Sequence, residues 1–135
     1  MRDLPIRKKI QRGDIPSNIE TGQQRKHIPG TLEYKQYVEK LNELGQYGPS
    51  RLDITQDEAQ KLVDQYNGTG ILGRRKDGSW DNTEEITIYD QKVGIVVNNI
   101  TGVEAETTVF KIHYGKKGTH IVPGYPRRKE AKAKK

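Results

Sequence analysis

Cysteine is absent from the 135 residues. That removes disulfides, iron–sulfur clusters and thiolate zinc sites, so any metal would need His and carboxylate ligands, and chemistry without a cofactor becomes the default expectation. Large apolar residues are scarce, with one Met, one Trp and one Phe, and hydrophobic residues reach only 31 %, the same share as charged ones. An average globular chain carries about 45–50 % apolar residues on a count that includes Gly. The core is therefore expected to be small, with part of the chain outside it. Long apolar runs are also missing: none approaches the roughly 20 residues needed to cross a bilayer, and the N-terminus lacks the apolar stretch of a secretory signal. The expectation is a soluble chain with no membrane partner. If it acts outside the cell that made it, delivery falls to other machinery, such as a larger parent chain.

The chain has the length of one domain. Its formal net charge is +6, and the excess sits at the two ends. Residues 1–30 carry +4, residues 31–122 carry −3 and residues 123–135 carry +5. The run Arg127-Arg128-Lys129-Glu130-Ala131-Lys132-Ala133-Lys134-Lys135 has nothing large and apolar to bury. It reads as a solvated basic tail over 124–135, for which phosphate binding is an alternative.

Residues 1–24 contain Pro5, Gly13, Pro16 and Gly22 among scattered charges and isolated Leu and Ile. They read as a linker or flexible arm. Leu32, Tyr34, Tyr37, Val38, Leu41 and Leu44 then recur at helical steps, and Gly45 and Gly48-Pro49 would end that helix, predicted over 31–46. A second helix is marked by the capping-box pattern Thr55-Gln56-Asp57-Glu58 and the stripe Ala59, Leu62, Val63 and Tyr66, and is closed by Asn67-Gly68. Residues 68–83 are rich in turn formers around Trp80 and predict a loop or short hairpin. Tyr34, Tyr37, Tyr47, Tyr66 and Trp80 could stack on bases, but the helical tyrosines and Trp80 are expected in the core, which has few other large residues to use.

Beyond residue 84 the period changes from helical to alternating. Short β-branched or aromatic runs at 85–89, 93–97, 108–114 and 119–122 predict strands. Helices first and strands afterwards give an α+β fold, with two N-terminal helices packed on an antiparallel sheet of about four strands.

The chemistry concentrates in Lys111-Ile112-His113-Tyr114-Gly115-Lys116-Lys117-Gly118-Thr119-His120-Ile121-Val122. A hairpin turning at Lys116-Lys117 pairs Tyr114 with Thr119, His113 with His120, and Ile112 with Ile121. Directly opposed residues share a face, so the two imidazoles meet, with Lys111 two residues away on the same side. Phe110, Ile112 and Ile121 take the opposite, core side. Two histidines can supply an acid and a base near neutral pH. RNA brings its own nucleophile, the 2′-hydroxyl, and the three lysines would favour a phosphodiester. The same residues also fit plainer roles: surface histidines and turn lysines are common, and opposed histidines can ligate zinc once a further ligand is found, although no nearby carboxylate offers itself. His27 stands in a separate basic cluster, Arg25-Lys26-His27-Ile28-Pro29-Gly30-Thr31, where Pro29 and Gly30 fix a turn.

These segments resemble the bacterial polymorphic toxin type 50 domain, a family predicted to share the fold of barnase, EndoU, and colicin- and RelE-type nucleases. The resemblance rests on Lys26-His27-Ile28-Pro29-Gly30-Thr31, on Ala59-Gln60-Lys61-Leu62-Val63-Asp64-Gln65-Tyr66 with Gly68-Thr69-Gly70, and on 112–123. It implies a metal-independent endoribonuclease toxin over 25–123 that needs no cofactor, with 2′-hydroxyl attack giving a 2′,3′-cyclic phosphate. It implies His27, His113 and His120 as the acid–base set, Thr119 or Tyr114 as a hydroxyl contact to phosphate, and Lys26, Lys111 and Lys117 as a phosphate clamp. The implied partners are an RNA substrate, tRNA among the candidates, and a cognate immunity protein, with the chain acting as a monomer. Similar domains end larger proteins, including phage minor head proteins, which would make residues 1–24 the tail of an upstream linker. A helix-like insertion at 33–47 departs from the family pattern and leaves the part of Ser50 and Arg51 in substrate contact open. A phage structural or nucleic-acid-binding module without catalysis is the competing function.

Overall fold

The computed structural model describes residues 3–126, and the basic run at 127–135 lies outside the described residues. Along the chain come α1 (Asp3–Arg12), α2 (Thr21–Arg25), α3 (Leu32–Glu43), β1 (Arg51–Leu52), α4 (Gln56–Tyr66), β2 (Ile71–Arg74), β3 (Trp80–Thr87), β4 (Gly94–Val97), β5 (Glu104–Thr107), β6 (Val109–Tyr114) and β7 (Thr119–Gly124). The fold is α+β.

Capping chemistry sets the helix starts. The Thr55 hydroxyl accepts from the Glu58 amide at 3.1 Å while the Glu58 carboxylate accepts from the Thr55 amide at 2.8 Å, so two otherwise unpaired donors of α4 are satisfied. Thr31 caps α3 by a single bond, its hydroxyl accepting from the Tyr34 amide at 3.1 Å. Ala59, Leu62 and Val63 of α4 are buried as their spacing requires, whereas α3 buries only Leu41 and leaves Leu32 exposed. The weaker stripe of α3 thus covers the periphery.

A four-stranded antiparallel sheet has the order β2-β3-β6-β7. A second, three-stranded antiparallel sheet, β1-β4-β5, adds strands beyond the single sheet expected from the run pattern. Residues 68–83 hold a hairpin, with Arg74 opposite Trp80. Phe110, Ile112 and Ile121 are fully buried, joined by Ile86, Leu72 and the α4 stripe in one core. Trp80 and Tyr66 pack on that core half-buried.

Residues 1–24 are not a free arm where they are described. α1 buries Ile10 to 1 % exposure in the main core. Arg7 donates to the Gly68 and Gly70 carbonyls, each at 2.7 Å. Between those glycines and the core sits Glu84, with no exposure, accepting from the Gly68 amide at 2.9 Å, the Gly70 amide at 2.6 Å and the Tyr114 hydroxyl at 2.7 Å. A buried carboxylate is tolerable only with such donors around it. Scattered Pro and Gly conceal this helix in the sequence because its anchors, Ile6, Ile10, Asp3 and Arg7, meet partners distant in the chain.

The outer edge of β7 is also closed. The Thr119 amide donates to the Asn18 carbonyl and the Glu20 amide to the Thr119 carbonyl, both at 2.8 Å. Two residues on, the fully buried Gln24 side chain exchanges both its hydrogen bonds with the main chain of Ile121, each at 2.8 Å, as another strand would. Gly118 makes the approach possible: its φ is +148°, and a Cβ there would lie 2.7 Å from the Asn18 carbonyl oxygen. The chain leaving this edge turns through α2 and delivers His27 beside β7.

Candidate functional site

Within the β6–β7 hairpin, His113 pairs with His120, Tyr114 with Thr119 and Ile112 with Ile121. The imidazoles of His113 and His120 stack with centroids 5.0 Å apart and planes 12° apart. His27, brought in by α2, stacks on the other side of His120 at 6.2 Å and 7°. The three histidines form one column with His120 in the middle. Tyr37 of α3 meets His27 edge-on at 5.7 Å.

The main chain orients one end of the column. His27 Nδ1 lies 2.9 Å from the Ser50 carbonyl oxygen. A carbonyl only accepts, so Nδ1 carries the proton and Nε2 of the neutral ring keeps its lone pair. The Ser50 hydroxyl accepts from the Val97 amide at 2.9 Å and fixes that carbonyl to the second sheet.

All three rings are held below the usual histidine range. For His27 the main cause is burial, reinforced by the Lys26 charge and opposed by the Ser50 hydrogen bond. Burial also leads for His113, with Lys111 and His27 adding to it and the Asp81 carboxylate opposing. His120, facing a ring on each side, is pushed down to about 4 by burial, then by His113, His27 and Lys26. Near neutral pH the column is an uncharged set of proton acceptors. Lone pairs lie in the ring planes, and near-parallel planes do not converge on one ion. Among the described residues no three His, Asp or Glu side chains are grouped to hold a metal.

Lysines flank the column on three sides. A cleft of about 430 Å³ opens between α2 and α3, where Gln23, Lys26, Glu33, Gln36, Tyr37 and Lys40 surround His27 and His120. Next to it, sharing Gln23 and His120, a cleft of about 420 Å³ runs past His113 to Lys116 and Lys117. Lys111 lines a third depression with His113 and Ser50. The three histidines and Lys26, Lys111 and Lys117 thus meet on one face.

Tyr114 and Thr119 have their hydroxyls engaged elsewhere, although Tyr114 also lines the cleft past His113. They are paired with each other one position away from the histidines, which in a strand means the opposite face. Tyr114 is spent on Glu84, and the fully buried Thr119 hydroxyl donates to the His113 carbonyl at 2.7 Å. These are the bonds their hydroxyls make in the structure. Arg51 pairs with Glu104 at 2.9 Å, whereas Ser50 serves the site through its carbonyl.

The sequence pattern did not single out Gln23, Lys40 or Asp81 for this face, and offered Tyr37 as a base-stacking residue only as the alternative to the core. Tyr37 was expected in the core because it lies on a helical stripe. Asp81 reaches the site only because β3 pairs with β6, Thr83 opposite His113, a register with no local signature.

The family model for bacterial toxin 50 matches residues 19–123. The chain belongs to the bacterial toxin 50 family. The matched region of this toxin domain begins at Ile19, which bridges to Thr119, and ends in β7. It contains the whole histidine column and the three flanking lysines; α1 lies before it. No curated protein and no solved structure gives a significant match.

Proposed function

We propose that this toxin domain is a metal-independent endoribonuclease acting through the His27–His120–His113 column. The observation that carries the reading is the column itself, three uncharged imidazoles in stacking contact between lysine-lined clefts on one face.

In-line cleavage of RNA needs a base at the 2′-hydroxyl and an acid at the leaving 5′-oxygen on opposite sides of phosphorus, which the two ends of a column supply. His27 Nε2, left basic by the Ser50 contact, takes the 2′-hydroxyl proton, and the 2′-oxygen bonds to phosphorus. The bond from phosphorus to the 5′-oxygen breaks as His113 delivers a proton to it, leaving a 2′,3′-cyclic phosphate and a free 5′-hydroxyl. The Asp81 carboxylate opposes the lowering of His113 and favours its charged form. His120, between them, hydrogen-bonds the phosphate. The phosphate charge raises the imidazoles it meets, so the acid becomes protonated on substrate binding. Lys26, Lys111 and Lys117 offset the growing charge on phosphorus. A toxin of this kind calls for a cognate immunity protein in the cell that makes it.

The test is incubation of the purified chain with total RNA, tRNA included, in EDTA. Wild-type cleavage to 2′,3′-cyclic phosphate ends, with intact RNA under His113→Ala and His120→Ala, supports the reading. Intact RNA in every lane, with salt-sensitive binding that persists in the histidine variants, favours a nucleic-acid-binding module.

A further inference from the structure

The cleft between α2 and α3 differs chemically from its neighbour along the column. The cleft past His113 offers Lys116 and Lys117, suited to backbone phosphates, while its carboxylate, Glu20, accepts from the Gln23 main-chain amide and its tyrosine, Tyr114, donates to Glu84. The α2–α3 cleft instead combines a tyrosine ring, two amides and a carboxylate with its lysines. Tyr37 is half-buried and fixed by its edge contact with His27, so its position relative to the column is set. Lys26 Nζ lies 5.9 Å from the Tyr37 ring centroid, within reach of both ring and column. Glu33 is the least expected member. Unlike Glu20, whose carboxylate caps α2, Glu33 has among the described residues a long, half-exposed ion contact with Arg25 at 3.9 Å, which leaves its oxygens for hydrogen bonds from a base.

We propose that this cleft is the nucleobase subsite of the toxin domain and selects guanine on one side of the cleaved phosphate. Sequence-specific recognition of single-stranded RNA works by stacking bases on aromatic rings and reading their Watson–Crick edges. Guanine presents two adjacent donors there, N1–H and the 2-amino group, which match the two oxygens of Glu33. The Gln36 or Gln23 amide can then donate to O6. Adenine, cytosine and uracil lack the double donor. The base packs against Tyr37, and Lys26 and Lys40 hold the phosphate that follows it.

The proposal rests on the ribonuclease reading for its biological meaning, and nucleotide binding separates the two. Binding of 3′-GMP, 3′-AMP, 3′-CMP and 3′-UMP to the full chain is measured by calorimetry, for wild type, Glu33→Gln, Tyr37→Ala and His113→Ala. The expected result is a preference for 3′-GMP of about tenfold, the scale of one bidentate base contact. Glu33→Gln removes the preference, Tyr37→Ala weakens all four nucleotides, and His113→Ala keeps the preference while abolishing RNA cleavage. Equal binding of the four nucleotides, or a guanine preference that survives Glu33→Gln, overturns the subsite. A guanine preference in a chain that cleaves no RNA leaves the subsite standing and removes the ribonuclease.

Discussion

His27 Nδ1 is hydrogen-bonded to the main-chain carbonyl oxygen of Ser50 at 2.9 Å. The contact does two things that can be separated by substitution: it ties α2 to the start of β1, and it leaves Nε2 as the free base. Asparagine at this position can still donate to the Ser50 carbonyl but has no basic nitrogen. His27→Asn is expected to keep its folding midpoint close to wild type while RNA cleavage falls by about 10²-fold or more, the scale of a lost general base. A variant that cleaves normally would remove His27 from the mechanism.

The column also predicts how stability follows pH. All three histidines are depressed in the folded state, His120 to about 4 from 6.5. Between those values the unfolded chain binds a proton at His120 that the folded chain does not, so stability rises with pH there. The contribution is complete above about 6.5, is lost as pH falls toward 4, and levels off once the folded state also takes up the proton. Urea midpoints at pH 7, 5.5 and 4.5 should fall in that order. The decline should be shallower in His120→Phe, which keeps a stacked ring but cannot titrate. An equal decline in both proteins would place the effect elsewhere.

Much of this site was readable before the fold, because a hairpin turning at Lys116-Lys117 has one register that buries Phe110, Ile112 and Ile121, and that register opposes His113 and His120. The same parity puts Tyr114 and Thr119 on the core face. His27 was legible only as a motif. Its place on the column depends on Gln24 pairing with the Ile121 main chain, a contact 97 residues apart in sequence that no local period encodes. α1 was missed for a related reason: Ile10 packs into a core built from distant elements and Arg7 reaches the loop at Gly68–Gly70, and no local period encodes either contact.

Tyr114 and Thr119 give a direct test of that parity. Tyr114→Phe removes a donor to the buried Glu84, and Thr119→Val a donor to the His113 carbonyl. Each should cost about 1–2 kcal/mol, the range for breaking a buried hydrogen bond, more where the partner is charged. Cleavage measured well below the melting temperature should change little. A large loss of activity at unchanged stability would return these hydroxyls to the substrate.

α1 lies ahead of the residues matched by the family model yet contributes to the core, so the matched region and the stable folding unit are expected to differ. Ile10→Ala leaves a cavity beside the core at a site with 1 % exposure and should destabilise by about 2–4 kcal/mol. Arg7→Ala acts by another route: it strips two carbonyls of their donor and takes a positive charge from the vicinity of Glu84, whose nearer oxygen is 4.0 Å away. A loss of about 1–3 kcal/mol follows from those unsatisfied groups. A chain beginning at residue 19 loses both contributions at once, and since typical domains have only about 5–15 kcal/mol in total it should melt far below the full chain. Thermal unfolding of the full chain, the two single variants and the shortened chain checks this. Equal melting temperatures for the full and shortened chains would mean that α1 rests on the domain without supporting it.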